Sequence, residues 1–298
     1  MDLRKAKEDF LSYEKMIGSQ PKTIKHYSAV IDSFLQNCTY SDSDLTLQEI
    51  YRFVEYMDNK GLSVATKANY LRHIKSFCHF LCRSSIIAEK TLWSEIKVPK
   101  DSKKIVQIYD EMEIADIYDA CIAVPRWLSV RNSCIISFML DCGLRQEEIT
   151  KLTAKDVSGS NIIVHGKGRK DRIVPKGQKL QLDLNRWLMC RSTVEHDTEM
   201  LFLTRSGKPI TSNTIKMLFQ HITKEVGYPV SSHRLRHNFA TNFLLDSYDK
   251  NGWFDSYSLM VLLGHEDIKT TERYLHYCQQ VVACRNAHSH LDKIYGLG

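Results

Sequence analysis

The stretch "SSHRLRHNFATNFL", residues 231–244, sets two histidines and two arginines (His233, Arg234, Arg236 and His237) within five residues, and apolar residues follow at helical spacing. This pattern predicts a helix starting near Ser232, with Ser232 as its cap and Leu235, Phe239 and Phe243 turned toward a core. In such a helix His233 and Arg236 share a face. A helix start already carries partial positive charge, so cations crowded there are disfavoured unless they are solvated or face a strong anion. The planar donor fork of arginine matches the oxygens of a phosphate. From this window alone, a solvated helix start and a phosphate site stand level.

Working outward, the chain has 298 residues, 43% hydrophobic and 26% charged, enough for two domains of common size. The net charge of +6 is spread over both halves, which permits a nucleic-acid partner without demanding one. Nine cysteines are scattered without a CxxC pair or a zinc-like Cys/His spacing, and the start "MDLRKAKEDF" has no apolar signal segment. No apolar run approaches the roughly 20 residues of a membrane span. The expectation is a cytoplasmic protein with free thiols and no membrane association.

Residues 1–97 read as a helical domain. An opening helix precedes Gly18, a second carries Ile24, Tyr27, Val30, Ile31, Phe34 and Leu35 on one face, and a third ends at Gly61. A fourth, with Ser63 as a possible cap, turns Leu71, Ile74, Phe77, Cys78 and Leu81 inward. Their outer edges are basic: Lys22, Lys25, Lys67, Arg72 and Lys75. Residues 98–107, with a charge cluster beside a proline and no sustained helical period, read as a linker. In residues 108–298 amphipathic helices resume, one of them running from Trp127 to Cys142 and stopped by Gly143. "NIIVHGKGRKDRIVPKG" differs, with two β-rich runs around a basic tip, the pattern of a hairpin. The expected fold class is mainly α with a small antiparallel β-sheet.

Three further stretches could carry chemistry. In "CGLRQEEI", Arg145 follows a glycine-terminated helix and Glu148 could orient it; a purely structural Arg–Glu pair fits equally. The hairpin tip holds Lys167, Arg169, Lys170 and Arg172 without the GxxxxGK[ST] pattern of a phosphate loop. A lysine there could follow a nucleic-acid backbone or donate a proton; a soluble charged turn is the plainer alternative. In "LLGHEDIKTTERYLHY", His265 follows Gly264, Tyr274 lies nine residues on, Thr270 or Thr271 could cap its helix, and Tyr277 is a competitor. Tyrosine, with a pKa near ~10, becomes a nucleophile once cations stabilise its phenolate. HExxH is absent, so the histidines do not suggest a zinc protease.

The phrases "GLRQEEI", "GKGRKDRIVP", "HRLRHNFATNFL" and "LLGHEDIKTTERYLH", in this order, resemble the tyrosine recombinase (phage integrase) family, in its compact two-domain, Xer-like form. The resemblance covers roughly residues 10–280. It implies an N-terminal helical, SAM-like DNA-clamp domain and a C-terminal α+β catalytic domain. It implies an active site of Arg145, Lys167, His233, Arg236, His265 and Tyr274, with Glu148 supporting Arg145. Arg169, Lys170, Arg172 and Arg234 join the basic residues of the first domain as DNA contacts. The implied reaction breaks and rejoins DNA through a 3′-phosphotyrosyl intermediate, with no cofactor, metal or ATP. The implied partners are double-stranded DNA with paired inverted sites and further copies of the chain, a dimer on each site and a tetramer in synapsis, with a C-terminal helix exchanged between copies. The rivals are a DNA-binding protein that has lost catalysis and a type IB topoisomerase. One departure is the long segment "LLDSYDKNGWFDSYSLMVLLGH": an exposed loop would leave the site intact, whereas a changed helix path would put the placement of His265 in doubt.

Overall fold

The computed structural model describes residues 2–37, 45–87, 92–99, 107–166, 170–287 and 290–296, and places two compact units in residues 1–104 and 105–298. The division falls within the stretch read as a linker, of which residues 100–106 lie outside the described residues.

The first unit is helical: α1 (Leu3–Met16), α2 (Pro21–Gln36), α3 (Leu47–Asn59), α4 (Val64–Arg83) and the single turn α5 (Leu92–Glu95). Proline at the first position of α2 suits a helix start, because the missing N–H is one that would lack a partner there. Ser63 caps α4 by accepting from the Thr66 amide. Phe10, Phe34, Phe53 and Phe77 are fully buried, and Phe10 packs on Tyr27, Phe77 and Phe80. Of the basic edge, Lys25 and Arg72 are exposed. Lys67 is paired with Asp58 at 2.5 Å, and Lys75 donates to the Ile96 carbonyl at 3.2 Å and lies over the Trp93 ring. Lys75 is therefore committed within its own unit, against the expectation of an outward-facing DNA contact.

The second unit contains α6 (Glu111–Ile122), α7 (Arg126–Cys142), α8 (Gln146–Ile149), a 3-10 turn at Lys155–Val157, β1 (Asn161–Val164), β2 (Arg172–Pro175), α9 (Gln178–Arg191), α10 (Ser212–Val226), α11 (Ser232–Asn251), α12 (Ser256–Leu263), α13 (Lys269–Asn286) and α14 (His290–Tyr295). The α7 residues Ile135, Ile136, Phe138 and Met139 are consecutive or nearly so and all buried, which makes α7 a central helix, packed by α6, α9 and α11. The strands pair antiparallel with Val164 opposite Arg172, so the fold is mainly α with one two-stranded antiparallel sheet. The hairpin tip, residues 167–169, carries Lys167 and Arg169 and lies outside the described residues. No helix among the described residues is long and apolar enough to cross a membrane.

Three local expectations change. Ser231, not Ser232, caps α11, accepting from the Arg234 amide. Neither Thr270 nor Thr271 caps α13; the Asp267 carboxylate accepts the Lys269 amide, and Thr271 is turned inward. The long segment after residue 244 is neither a loop nor a diversion. It prolongs α11 to Asn251, turns at Gly252, and enters α12 after Phe254 stacks on Tyr248.

Candidate active site

The C-terminal ends of two helices make the floor of the site. At the end of α7, Gly143 has φ +60°, and a Cβ there would collide with the Phe239 ring of α11 and approach Leu263 of α12. Only glycine fits both the left-handed backbone and this close approach. The last carbonyls of a helix lack partners within it and carry its negative partial charge. Here guanidinium groups satisfy them. Arg236 donates to the Gly143 and Leu263 carbonyls, Arg145 to the Leu263 carbonyl at 3.2 Å, and Arg172 to the Leu262 carbonyl at 2.7 Å.

One carboxylate completes the floor. Glu148 accepts both terminal nitrogens of Arg172 at 2.8 Å, one nitrogen of Arg145 at 3.0 Å, and the Arg145 amide at 2.7 Å. Burial pushes the Glu148 pKa up, but hydrogen bonds and charge from Arg172, then the amide and charge of Arg145, outweigh it and hold the pKa below its ordinary value. Arg236 is buried, and desolvation together with repulsion from Arg145 lowers its pKa to about 9, Glu148 opposing and Arg172 adding to the fall. Repelling cations held this closely are stabilised by an anion placed among them.

His265 follows the Gly264 turn, with its Nε2 3.2 Å from Arg236 Nη2 and its Nδ1 2.8 Å from Thr271 Oγ1. Burial, then the charges of Arg236, Arg145, Arg172 and Arg273, lower its pKa to about 4. It is neutral at pH 7. Arginine has only donors, so Nε2 is the acceptor and Nδ1–H donates to Thr271. The prolonged α11 therefore leaves His265 beside Arg236.

Tyr274, on α13, is buried, and its hydroxyl lies 2.8 Å from Nδ1 of His237. Burial raises its pKa; the charges of Arg236, Arg273 and Arg145 pull the other way. His237 is lowered to about 4, chiefly by burial and then by Arg273, His233 and Arg236. Burial thus disfavours both the Tyr274 phenolate and a protonated His237, so proton transfer between them is unfavourable. The hydroxyl is held as a phenol.

Arg145, Arg236, His265, Tyr274 and Glu148 thus come together. His233 sits exposed on the first turn of α11, and His237, one turn further on, lies beside Tyr274. Two expected DNA contacts are corrected. The Arg172 side chain is 7% exposed and committed to Glu148, because β2 alternates and turns Arg172 inward with Val174. Arg234 stacks over the Tyr109 ring and donates to the Ile108 carbonyl, which anchors the start of α11. Lys170 is exposed and pairs with Glu266 at 3.5 Å. Sequence reasoning missed His237, Thr271 and the inward Arg172. For the last, the alternation of "RIVP" carries the period of the strand but not its phase.

A mainly helical unit that gathers arginines, histidines and a tyrosine hydroxyl has the make-up of an enzyme that moves a phosphodiester by way of a tyrosine. Comparisons with known proteins agree. The model of the phage integrase family matches residues 107–280. Tyrosine recombinase XerC of Lactobacillus leichmannii is 32% identical over 287 residues, covering 92% of this chain and 94% of that protein. Tyrosine recombinase XerD of Oceanobacillus iheyensis is 29% identical over 288 residues, with the same two coverages, 92% and 94%. Among solved structures, XerH recombinase in a post-cleavage complex with palindromic difH substrate has a TM-score of 0.73 at 22% identity, covering 89% of this chain and 79% of that one. A lambda integrase dimer bound to a COC′ core site has a TM-score of 0.72 at 18% identity, covering 91% and 97%; both likenesses concern the fold. The chain belongs to the phage integrase family, the tyrosine recombinases, enzymes that cleave and rejoin DNA strands.

Proposed function

We propose that this protein performs site-specific recombination on double-stranded DNA, with Tyr274 as nucleophile. The observation that carries the reading is the Tyr274 hydroxyl lying within the field of Arg145 and Arg236, whose only nearby carboxylate among the described residues, Glu148, is already engaged. Arg145 and Arg236 bind the non-bridging oxygens of the scissile phosphate. Tyr274 attacks in line, a 3′-phosphotyrosyl bond forms, and the bond to the 5′ oxygen breaks. Lys167, at the hairpin tip, protonates that leaving oxygen. The phosphate offsets the repulsion that now depresses His265, so Nε2 gains a proton and donates to a phosphate oxygen. His233 and His237 handle the Tyr274 proton. The ester energy is kept in the protein–DNA bond, and a partner strand's 5′-hydroxyl reverses the step.

The substrate is DNA with paired inverted sites, bound by a dimer at each site and a tetramer in synapsis, in the cytoplasm. The solved lambda integrase and XerH structures are complexes with core-site, Holliday-junction and difH DNA, which supports this reading. Residues 1–97 clamp the DNA, with Lys22, Lys25 and Arg72 as backbone contacts. The C-terminal segment after α13 passes to a neighbouring copy; Leu291, Ile294 and Tyr295 of α14 are exposed apolar groups that suit such a contact. The test is covalent trapping on a nicked suicide duplex. Tyr277→Phe is expected to form the adduct and Tyr274→Phe to form none; an adduct with Tyr274→Phe rejects the assignment. Plasmid relaxation measured beside two-site recombination separates a topoisomerase from a recombinase.

A further inference from the structure

Glu148 has more arginine donors around it than one carboxylate can serve as paired forks. Arg172 takes the bidentate place, one nitrogen on each oxygen at 2.8 Å. Arg145 is left with its amide and a single guanidinium nitrogen on Glu148, and the same nitrogen reaches the Leu263 carbonyl. Its Nε and Nη2 have no protein partner among the described residues, and the side chain is 41% exposed. Fork-to-fork pairing is the preferred geometry of an arginine with a carboxylate. Arg172 on both oxygens keeps Arg145 from adopting it, with the Arg145 amide on Oε2 and the Leu263 carbonyl on Nη1 as lesser holds.

Arg172 is also locked from its other side. Its Nε donates to the Leu262 carbonyl, and a Cβ on Gly264 would come within 3.2 Å of its Cδ and Nη1. The glycine lets the end of α12 fold over the guanidinium just before His265. A single side chain thus joins the lysine-bearing hairpin, the Arg145 turn and the turn that carries His265.

We propose that Arg172 is a positioning residue for strand cleavage: by occupying Glu148 it keeps the donor fork of Arg145 open for the scissile phosphate. This rests on the recombinase reading of the site. Without Arg172, Glu148 pairs bidentately with Arg145, and the phosphate loses a donor although Arg145 is intact.

The test compares wild type, Arg172→Met and Arg172→Lys in single-turnover adduct formation on two nicked suicide duplexes. One has an ordinary scissile phosphodiester. The other has a methylphosphonate there, whose transition state carries one negative charge fewer and needs less from Arg145. Duplex affinity and thermal melting are measured alongside. Expected is a cleavage loss of about 100-fold or more on the phosphodiester, the scale of one lost transition-state donor. The loss on the methylphosphonate should be at least about tenfold smaller, with duplex affinity within about threefold of wild type. A merely structural role would lower both substrates equally, and that result overturns the proposal. Should Arg172→Met fail to fold, Arg172→Lys decides: lysine keeps the charge but has no fork, so it should show the same substrate-selective defect. Wild-type rates for Arg172→Lys on both substrates also overturn the proposal. Failure of the wild type to form an adduct on either duplex instead overturns the recombinase reading itself.

Discussion

Glu148→Gln isolates charge from shape, since the two side chains are nearly isosteric. In the native protein the carboxylate is 9% exposed and serves Arg172 twice, an Arg145 nitrogen and the Arg145 amide. An amide keeps one acceptor oxygen and turns its NH2 donor toward a guanidinium N–H. Removing one partner of a buried ion pair costs about 3–5 kcal/mol, because the remaining charge stays buried without compensation. That cost applies at neutral pH, and its pH dependence has a definite sign. The Glu148 pKa is depressed in the folded protein, so its stabilisation is complete above the unfolded value and is lost as pH falls through the folded one. Glutamine has no such dependence from this position. The stability gap between wild type and Glu148→Gln should therefore be full at pH 7 and narrow below about pH 4, near the ordinary carboxylate value. Urea unfolding measures it, followed by tryptophan fluorescence in a Trp93→Phe background that silences the tryptophan of the first unit. Trp187 is fully buried and stacked on Phe202, so its emission reports the second unit. A gap below about 1 kcal/mol at pH 7, or one that stays constant on acidification, refutes the claim that Glu148 is the charge-paired centre of the arginine cluster.

Two further outcomes are expected. Arg236→Ala should bind duplex within a few-fold of wild type while adduct formation falls by about 10³ or more, because the group is buried and acts on the transition state; equal losses of binding and cleavage would deny that role. Gly143→Ala should destabilise the second unit by roughly 2–5 kcal/mol, since a left-handed φ and a collision with Phe239 add together; an unchanged urea midpoint in the same fluorescence assay would count against the close α7–α11 approach.

The helices were legible because their apolar periodicity is strong. α4 buries the residues its spacing picks out, α2 buries Val30, Ile31 and Phe34 and half-buries Ile24, Tyr27 and Leu35, and Gly143 ends α7 where the pattern stops. Most of the arginine, histidine and tyrosine constellation was legible as an ordered set of phrases, since chain order survives where distance does not. The phase of the hairpin was not. Ile162, Val164 and Val174 face inward while Ile163 and Ile173 face out, so both faces read as apolar and nothing but pairing fixed which way Arg172 turned. The partner of Tyr274 was hidden for another reason. His233 and His237 lie one turn apart on α11, and only the packing of α13 decides which of them meets the hydroxyl. Lys75 was misread because an exposed-looking lysine on a helix edge gives no sign of a carbonyl twenty-one residues on in the chain, at Ile96.

The charges on the floor of the site suggest why it takes this form. Three guanidinium groups face one carboxylate, and the ends of α7 and α12 each present carbonyls worth roughly half a negative charge. About one positive charge is left over, which matches the single charge of a resting phosphodiester. The pentacoordinate transition state carries one negative charge more, and donors already fixed by carbonyls and carboxylate strengthen on it without having to move. Protons meet the remainder. On the proposed mechanism His265, lowered to about 4 by burial and the arginines, gains basicity once a phosphate lies among them, and Lys167 is the proposed proton donor to the leaving oxygen. The division of labour follows from packing. In this reading the preorganised arginines hold the phosphate and stabilise its developing charge, and titrating groups supply the protons that strand cleavage moves.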